Sequence, residues 1–351
     1  MANNSADLRV GLIGYGTAGR YFHAPLLATT PGVELTAIVT ADETREKEAA
    51  AAYPGARIVP AAEDLWPLDL DLVVVASPNK THVPLAAAAL ISGCAVVVDK
   101  PLAVSAAQGR ELVEQAAERG LLLSVFQNRR WDGDFRTVAA LVHDGKLGRV
   151  NRFESRFERW RPQLKGGWRE LGDRAEGSGL LYDLGSHLVD QALTLFGPAT
   201  SVYAEADVRR AGAQADDDTF IALTHAGGTR SHLWASATAA SLGPRFRVLG
   251  SEAAYVTYGL DNQEDQLRAG LTPRDAEFGI TPPENYGQLG AEGGFEPHAT
   301  LPGRYADYYA AIAAALRGEA PVPVEARDAV AALDVIEAAR RSADEGRVIE
   351  L

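Results

Sequence analysis

The sequence predicts an α/β protein in two parts: a first domain over residues 1–127 built on a parallel sheet, and an α+β domain over 128–351 built on a large, mostly antiparallel open sheet. Three observations carry this. Short, β-rich apolar runs alternate with helical stretches through the first third of the chain. A glycine-rich turn closes the first of those runs. Beyond Leu147-Gly148 the pattern changes to longer runs that alternate apolar and polar residues, as in a sheet covered on one face.

The first run, Leu8 to Ile13, ends in Gly14-Tyr15-Gly16-Thr17-Ala18-Gly19, and a helical stretch follows. In that setting the first glycine permits a tight turn, the second lets backbone approach a pyrophosphate, and the third lets helix and strand pack closely. Free N–H groups at the helix start then hold the anion. The first part is therefore expected to be a Rossmann domain that binds a dinucleotide over these residues. The second strand, Glu34 to Val39, leads into Thr40-Ala41-Asp42. Where an acidic residue would grip the ribose hydroxyls of NAD, Thr40 is neutral and Arg45 supplies positive charge, so NADP is favoured over NAD. Asp42 either repels a 2′-phosphate or caps the next helix.

Strands over Arg57 to Val59 and Leu70 to Ala76 follow, the latter ending in Ser77-Pro78-Asn79, with His82 in the helix beyond. Strand ends on this edge border the ligand crevice, which makes these four residues cofactor candidates; His82 suits a capping or packing role equally well. The fifth strand, Ala95 to Val98, runs into Asp99-Lys100-Pro101. A lysine at that strand end donates to a substrate oxygen and stabilises charge there. The proline after it fixes the local backbone and admits a cis bond. Ser105-Ala-Ala-Gln108 reads as a capping box opening a helix to Arg119, which Gly120 stops. After the sixth strand, Leu121 to Val125, the run Gln127-Asn128-Arg129-Arg130-Trp131 is polar where the chain meets the cleft, and at least one of its arginines is expected in an exposed, salt-bridged turn.

In the second part the alternating runs are Asn151 to Trp160, Ser201 to Val208, Thr219 to His225 and Arg230 to Ala237, and the face they leave bare is a candidate oligomer surface. Gly177-Ser178-Gly179 gives a flexible approach to Asp183 and His187, whose spacing of four puts them on one helix face, a turn apart. The histidine can shuttle a proton near neutral pH while the carboxylate orients it or holds substrate. The alternatives are a helix cap beside a core histidine, or half of a metal site without the third ligand that zinc requires. Thr272 to Pro302 reads as loop with short pieces of structure, and helices over Tyr305 to Arg317 and Ala326 to Asp344 are expected to pack back beside the first domain.

The totals exclude other classes. A formal charge of -13 repels nucleic acid and anionic membranes, leaving a small polar ligand as the better partner. No apolar run approaches the roughly 18 residues of a membrane span. With one cysteine, Cys94, and a polar start from Met1 to Asp7 that has no apolar signal core, a reducing cytoplasm is expected.

Taken together, these residues resemble the glucose–fructose oxidoreductase / inositol dehydrogenase (Gfo/Idh/MocA) family over essentially the whole length. That family joins GxGxxG to a strand-end Glu-Lys-Pro, here Asp99-Lys100-Pro101, and to a later Asp-x-x-x-His, here Asp183 and His187. Segments Gly16 to Pro25, Phe126 to Phe135, Tyr182 to Gln191 and Tyr258 to Asp265 are similar to its NADP-type scyllo-inositol dehydrogenases. The resemblance implies Lys100, Asp183 and His187 as the catalytic trio, Asn128 or Arg129 near substrate, and Trp168-Arg169 near the cofactor. It further implies reversible oxidation of a secondary hydroxyl on a cyclic polyol or sugar, without a metal, and dimers or tetramers formed through the open sheet face. Two other activities fit the same fold: an NAD-using glycoside hydrolase and a non-catalytic NADP-binding protein.

Overall fold

The computed structural model describes residues 7–351, so the polar start lies outside the described residues except for Asp7. The first sheet is parallel throughout: β1 (Leu8–Ile13), β2 (Val33–Val39), β3 (Arg57–Val59), β4 (Leu72–Val75), β5 (Ala95–Asp99) and β6 (Leu123–Phe126), in the order β3-β2-β1-β4-β5-β6. Leu72 to Val75 and Ala95 to Val98 are buried along their whole length, because helices cover both faces of such a sheet. The winding reverses between β1 and β4, which opens a crevice beyond their carboxyl ends.

The second sheet comprises β7 (Val150–Glu158), β8 (Ala199–Asp207), β9 (Asp218–His225), β10 (Arg230–Ser236), β11 (Phe246–Gly250), β12 (Ala254–Thr257), β13 (Gly287–Ala291), β14 (Gly294–His298) and β15 (Ile349–Glu350). Their order is β14-β13-β12-β11-β7-β10-β9-β8-β15. Every described neighbour pair is antiparallel except β7 with β10, so the sheet is mixed. Alternation is plain in β9, where Thr219, Ile221, Leu223 and His225 are buried and the intervening residues are half-buried.

The helices are α1 (Ala24–Thr29), α2 (Glu43–Ala52), α3 (His82–Ile91), α4 (Ala106–Arg119), α5 (Gly133–His143), α6 (Trp168–Leu171), α7 (Leu180–Asp183), α8 (Gly185–Phe196), α9 (Gln263–Arg268), α10 (Tyr305–Leu316) and α11 (Ala326–Glu345). Among the described residues no helix is long and apolar enough to cross a membrane. Of the last two, α10 packs on α1, and α11 lies against α4 and β6 as well as α8 and β8. Buried Ala329, Ala332, Ala338 and Ala339 let α11 approach all of them closely.

One local expectation is modified. Ser105 caps α4 through Gln108 N–H (3.3 Å), but among the described residues the Gln108 side chain does not return to Ser105 N, and the neighbouring Ala106 N–H donates to Glu337 of α11 (2.7 Å). The segment over 272–302 is loop with short pieces of structure, in line with its sequence. It carries the hairpin β13–β14, which extends the sheet at its edge and is mostly exposed or half-buried, so no apolar alternation marks it.

The glycine turn separates two kinds of constraint. A Cβ on Gly19 would strike the carbonyl oxygen of Gly14, whereas the nearest atom to a Cβ on Gly16 is Nη1 of Arg45, at 3.9 Å. Gly19→Ala is expected to cost about 2–3 kcal/mol, as an overpacked core position does. Gly16→Ala should leave stability within about 0.5 kcal/mol. Thermal unfolding of the two variants checks the contrast.

Candidate active site

At the crevice, Gly14 has φ +101°, and a Cβ there would lie 2.6 Å from the carbonyl oxygen of Ala76, just past β4. Only glycine lets these strand ends approach so closely. Tyr15 is buried with its ring edge-on to Tyr53, so it has only backbone to offer a ligand, while Thr17 is exposed and Ala18 half-buried. Asp42 is occupied as the cap of α2, its Oδ1 accepting from Thr44 N (3.0 Å) and Arg45 N (2.9 Å). Thr40 lies just ahead of it, its Oγ1 accepting weakly from Asp42 N (3.4 Å). Arg45 makes no ion pair among the described residues, and its Nη1 lies beside Gly16. Nothing in the protein's own packing requires residue 16 to be small, which fits a pyrophosphate lying over the turn.

At the end of β4 the hydroxyl of Ser77 pairs with that of Thr81 (2.6 Å), Pro78 is exposed, and Asn79 Nδ2 donates to Gly177 O of the second domain (3.5 Å). His82 corrects an expectation. It is 1% exposed and its ring spans two carbonyl oxygens, Pro101 O (2.7 Å from Nδ1) and Ser77 O (2.8 Å from Nε2), so it braces the crevice wall and cannot reach a cofactor.

The peptide bond between Lys100 and Pro101 is cis. Lys100 Nζ donates to two of the three oxygens of Asp183, the backbone carbonyl (2.6 Å) and Oδ1 (2.9 Å). Arg169 Nε forms an ion pair with Asp183 Oδ2 at 3.1 Å, and the Arg169 guanidinium lies over the exposed ring of Trp168. Burial alone would raise the Asp183 carboxyl, but the charges of Lys100 and Arg169 hold it far below the usual carboxylate range. Asp183 and His187 do not share one regular helix, as the spacing had implied. α7 ends at Asp183, Leu184 breaks the run, and His187 N–H bonds to Leu184 O (3.2 Å), leaving the Asp183 carbonyl to the lysine and to the Ser186 hydroxyl (3.3 Å).

His187 is 5% exposed beside the ring of Phe157. Burial, then the charges of Lys100 and Arg129, push it well below the ordinary histidine range, outweighing the opposite pull of Asp183. The imidazole is therefore neutral at pH 7. Its Nδ1 is sealed off without a hydrogen-bond partner among the described residues, which leaves Nε2 as the nitrogen able to exchange a proton.

Asp99 supports the lysine from below. Its Oδ1 accepts from Lys100 N (2.8 Å) and lies 3.8 Å from His23 Nε2, and His23 Nδ1 sits 2.6 Å from the Tyr309 hydroxyl. His23 closes a single π-helical turn, Gly19–His23, directly after the glycine turn. Asn128 is buried and makes no side-chain hydrogen bond among the described residues, and Gln191 anchors the neighbouring backbone at Arg129 O (2.9 Å). The Arg129 guanidinium is committed to Glu264 (2.6 Å) and the Tyr305 hydroxyl (3.0 Å). Arg130 is salt-bridged as expected but not exposed: Nε and Nη2 grip the two oxygens of buried Asp190 at 2.8 and 2.7 Å. Glu264, Tyr305 and Arg159 were not singled out by their residue types. Glu264 lies inside one of the segments that resembled the family, the only signal that pointed toward it.

The family model for the oxidoreductase NAD-binding Rossmann fold (GFO_IDH_MocA) matches residues 8–127, and the model for the family's C-terminal α/β domain matches 139–351. The chain is 44% identical to the uncharacterized oxidoreductase YdgJ of Escherichia coli over 97% of both proteins. It is 36% identical to scyllo-inositol 2-dehydrogenase (NADP+) IolW of Bacillus subtilis, over 98% of this chain and 96% of that one. The structure of yvaA from Bacillus subtilis superposes with a TM-score of 0.94 at 35% identity, covering 99% of this chain and all of the other. With both family models matched and a 36% identical relative covering nearly its whole length, this chain is a member of the Gfo/Idh/MocA oxidoreductase family.

Proposed function

We propose that the protein is an NADP-preferring dehydrogenase that reversibly oxidises one secondary hydroxyl of a cyclic polyol or sugar, an inositol of the scyllo type first among them. The observation that carries this reading is the ammonium of Lys100, fixed by Asp183 close to the neutral imidazole of His187. IolW, which is named for that reaction, supports the choice of substrate.

When bound, the nicotinamide supplies the two-electron acceptor. The protein's share is proton handling and charge. His187 Nε2, neutral and open to the cleft, takes the hydroxyl proton. Lys100 donates to the same oxygen and stabilises the charge that develops there. Asp183 holds the lysine in place and, staying ionised, offsets the positive charge that His187 gains. Arg169 shields the outer oxygen of Asp183. At the other end, Arg45 beside Gly16 is the group we assign to the 2′-phosphate of NADP, since Asp42 is taken up in capping. The uncovered face of the second sheet carries Phe220 and Trp234, with Arg156 stacked over the indole at 3.8 Å, and we infer that two copies pair through it. Cys94 is buried and unpaired, which suits the cytoplasm we assign to the activity.

A panel of inositols and aldoses with NADP or NAD, read by nicotinamide absorbance, tests the reading; product formation without net cofactor reduction would instead favour hydrolysis. Lys100→Ala and His187→Ala should each lower kcat by about 10²–10⁴-fold while NADP still binds. Near-normal turnover in both would remove the assignment. Because His187 is lowered, it remains a competent base below pH 6.5, so the acid limb of kcat/KM for oxidation should fall below that value and vanish in His187→Asn. Arg45→Ala should raise KM for NADP about 10-fold or more, the worth of a charge-assisted hydrogen bond, with KM for NAD unchanged. Light scattering should give the mass of a dimer or tetramer, shifting to monomer in Trp234→Glu.

A further inference from the structure

Arg159 stands just past the end of β7, where strand geometry fixes its side. Along β7, Phe153, Ser155 and Phe157 point to the covered face: Phe153 meets Phe196 of α8, and Phe157 meets His187. Glu154, Arg156 and Glu158 point to the other, where Arg156 lies over Trp234. The extended chain continues beyond β7, since Arg159 N donates to Ser236 O (2.8 Å) and Arg159 O accepts from Ala239 N (3.1 Å). A period of two therefore puts Arg159 on the face of Phe157, one repeat further along the strand from His187. The charged groups that reach it are Arg161, Glu264, Asp183 and Arg129, which border the same cleft from four different segments.

Of the other cations near it, Lys100 and Arg169 are committed to Asp183 and Arg129 to Glu264 and Tyr305, while Arg161 is exposed to water. The side chain of Arg159 makes no hydrogen bond or ion pair among the described residues, although it is only half-exposed and has two arginines nearby. Keeping a partly desolvated guanidinium without an acceptor is costly. The cost is offset if a ligand brings the acceptor. The guanidinium is a planar fork of donors that matches a pair of oxygens at fixed spacing, as in vicinal hydroxyls or a carboxylate.

We propose that Arg159 is a substrate-binding residue that takes such an oxygen pair on the part of the substrate away from the carbon facing Lys100 and His187. This rests on the dehydrogenase reading above but makes its own claim. Calorimetric titration of scyllo-inositol and of glucuronate into the protein loaded with NADP+, for wild type, Arg159→Gln and Arg159→Lys, tests it alongside steady-state turnover. Arg159→Gln should weaken binding of at least one compound 10-fold or more and raise KM more than it lowers kcat. NADP affinity and thermal midpoint should not move, and Arg159→Lys should restore little, because an ammonium offers no fork. A larger loss for inositol identifies a diol, and a larger loss for glucuronate a carboxylate. Binding to Arg159→Gln equal to wild type, or a parallel loss of NADP affinity, overturns the assignment. Wild-type binding without turnover overturns only the dehydrogenase reading, and absence of binding to wild type overturns both.

Discussion

The contact between Lys100 and Asp183 holds the two halves of this protein in working register. The lysine comes from the end of β5 in the first sheet, and the aspartate from the break between α7 and α8 beneath the second. Nζ meets a backbone carbonyl and a carboxylate of one residue, and both side chains are largely screened from water, at 14% and 17% exposure. The carbonyl is available only because the helix is irregular: His187 N–H turns to Leu184 instead. A backbone oxygen has no rotamers, so it fixes the ammonium more firmly than a carboxylate alone would. The carboxylate adds a second bond to the lysine through Oδ1 and an ion pair with Arg169 through Oδ2.

Beneath that contact lies a layer of buried polar groups that stiffen the crevice. His82 ties the end of β4 to the loop after β5 by standing between Ser77 O and Pro101 O. Asp99 and His23 connect the lysine's backbone to the turn that follows the glycines, and Tyr309 links that pair to α10. The walls of the crevice and the lysine thus rest on one layer of buried polar contacts, closed between Asp99 and His23 at 3.8 Å.

Much of this was legible in the residues. The parallel strands announced themselves through Val-rich runs, and the glycine turn, Lys100, Asp183 and His187 stood out because their chemistry is unusual at strand ends and helix starts. What escaped depends on partners far away in sequence. Nothing in the spacing of Asp183 and His187 reveals the break at Leu184. His82 looked equally suited to cofactor or core until its two carbonyl neighbours, 5 and 19 residues away, came into view. Arg159 is one arginine among several near the end of β7, and only the register of β7 against the site tells it apart. The hairpin β13–β14 has exposed faces, so it leaves no hydrophobic trace.

The long helix α11 lies across both sheets, with Glu337 completing the cap of α4 in the first domain and Ser342 receiving Ala204 N from β8 in the second. A chain built this way is poorly modular. Recombining its first half with the second half of a distant relative would require matching a clamp near the C-terminus as well as the lysine's acceptor, so its two halves are bound to vary in concert.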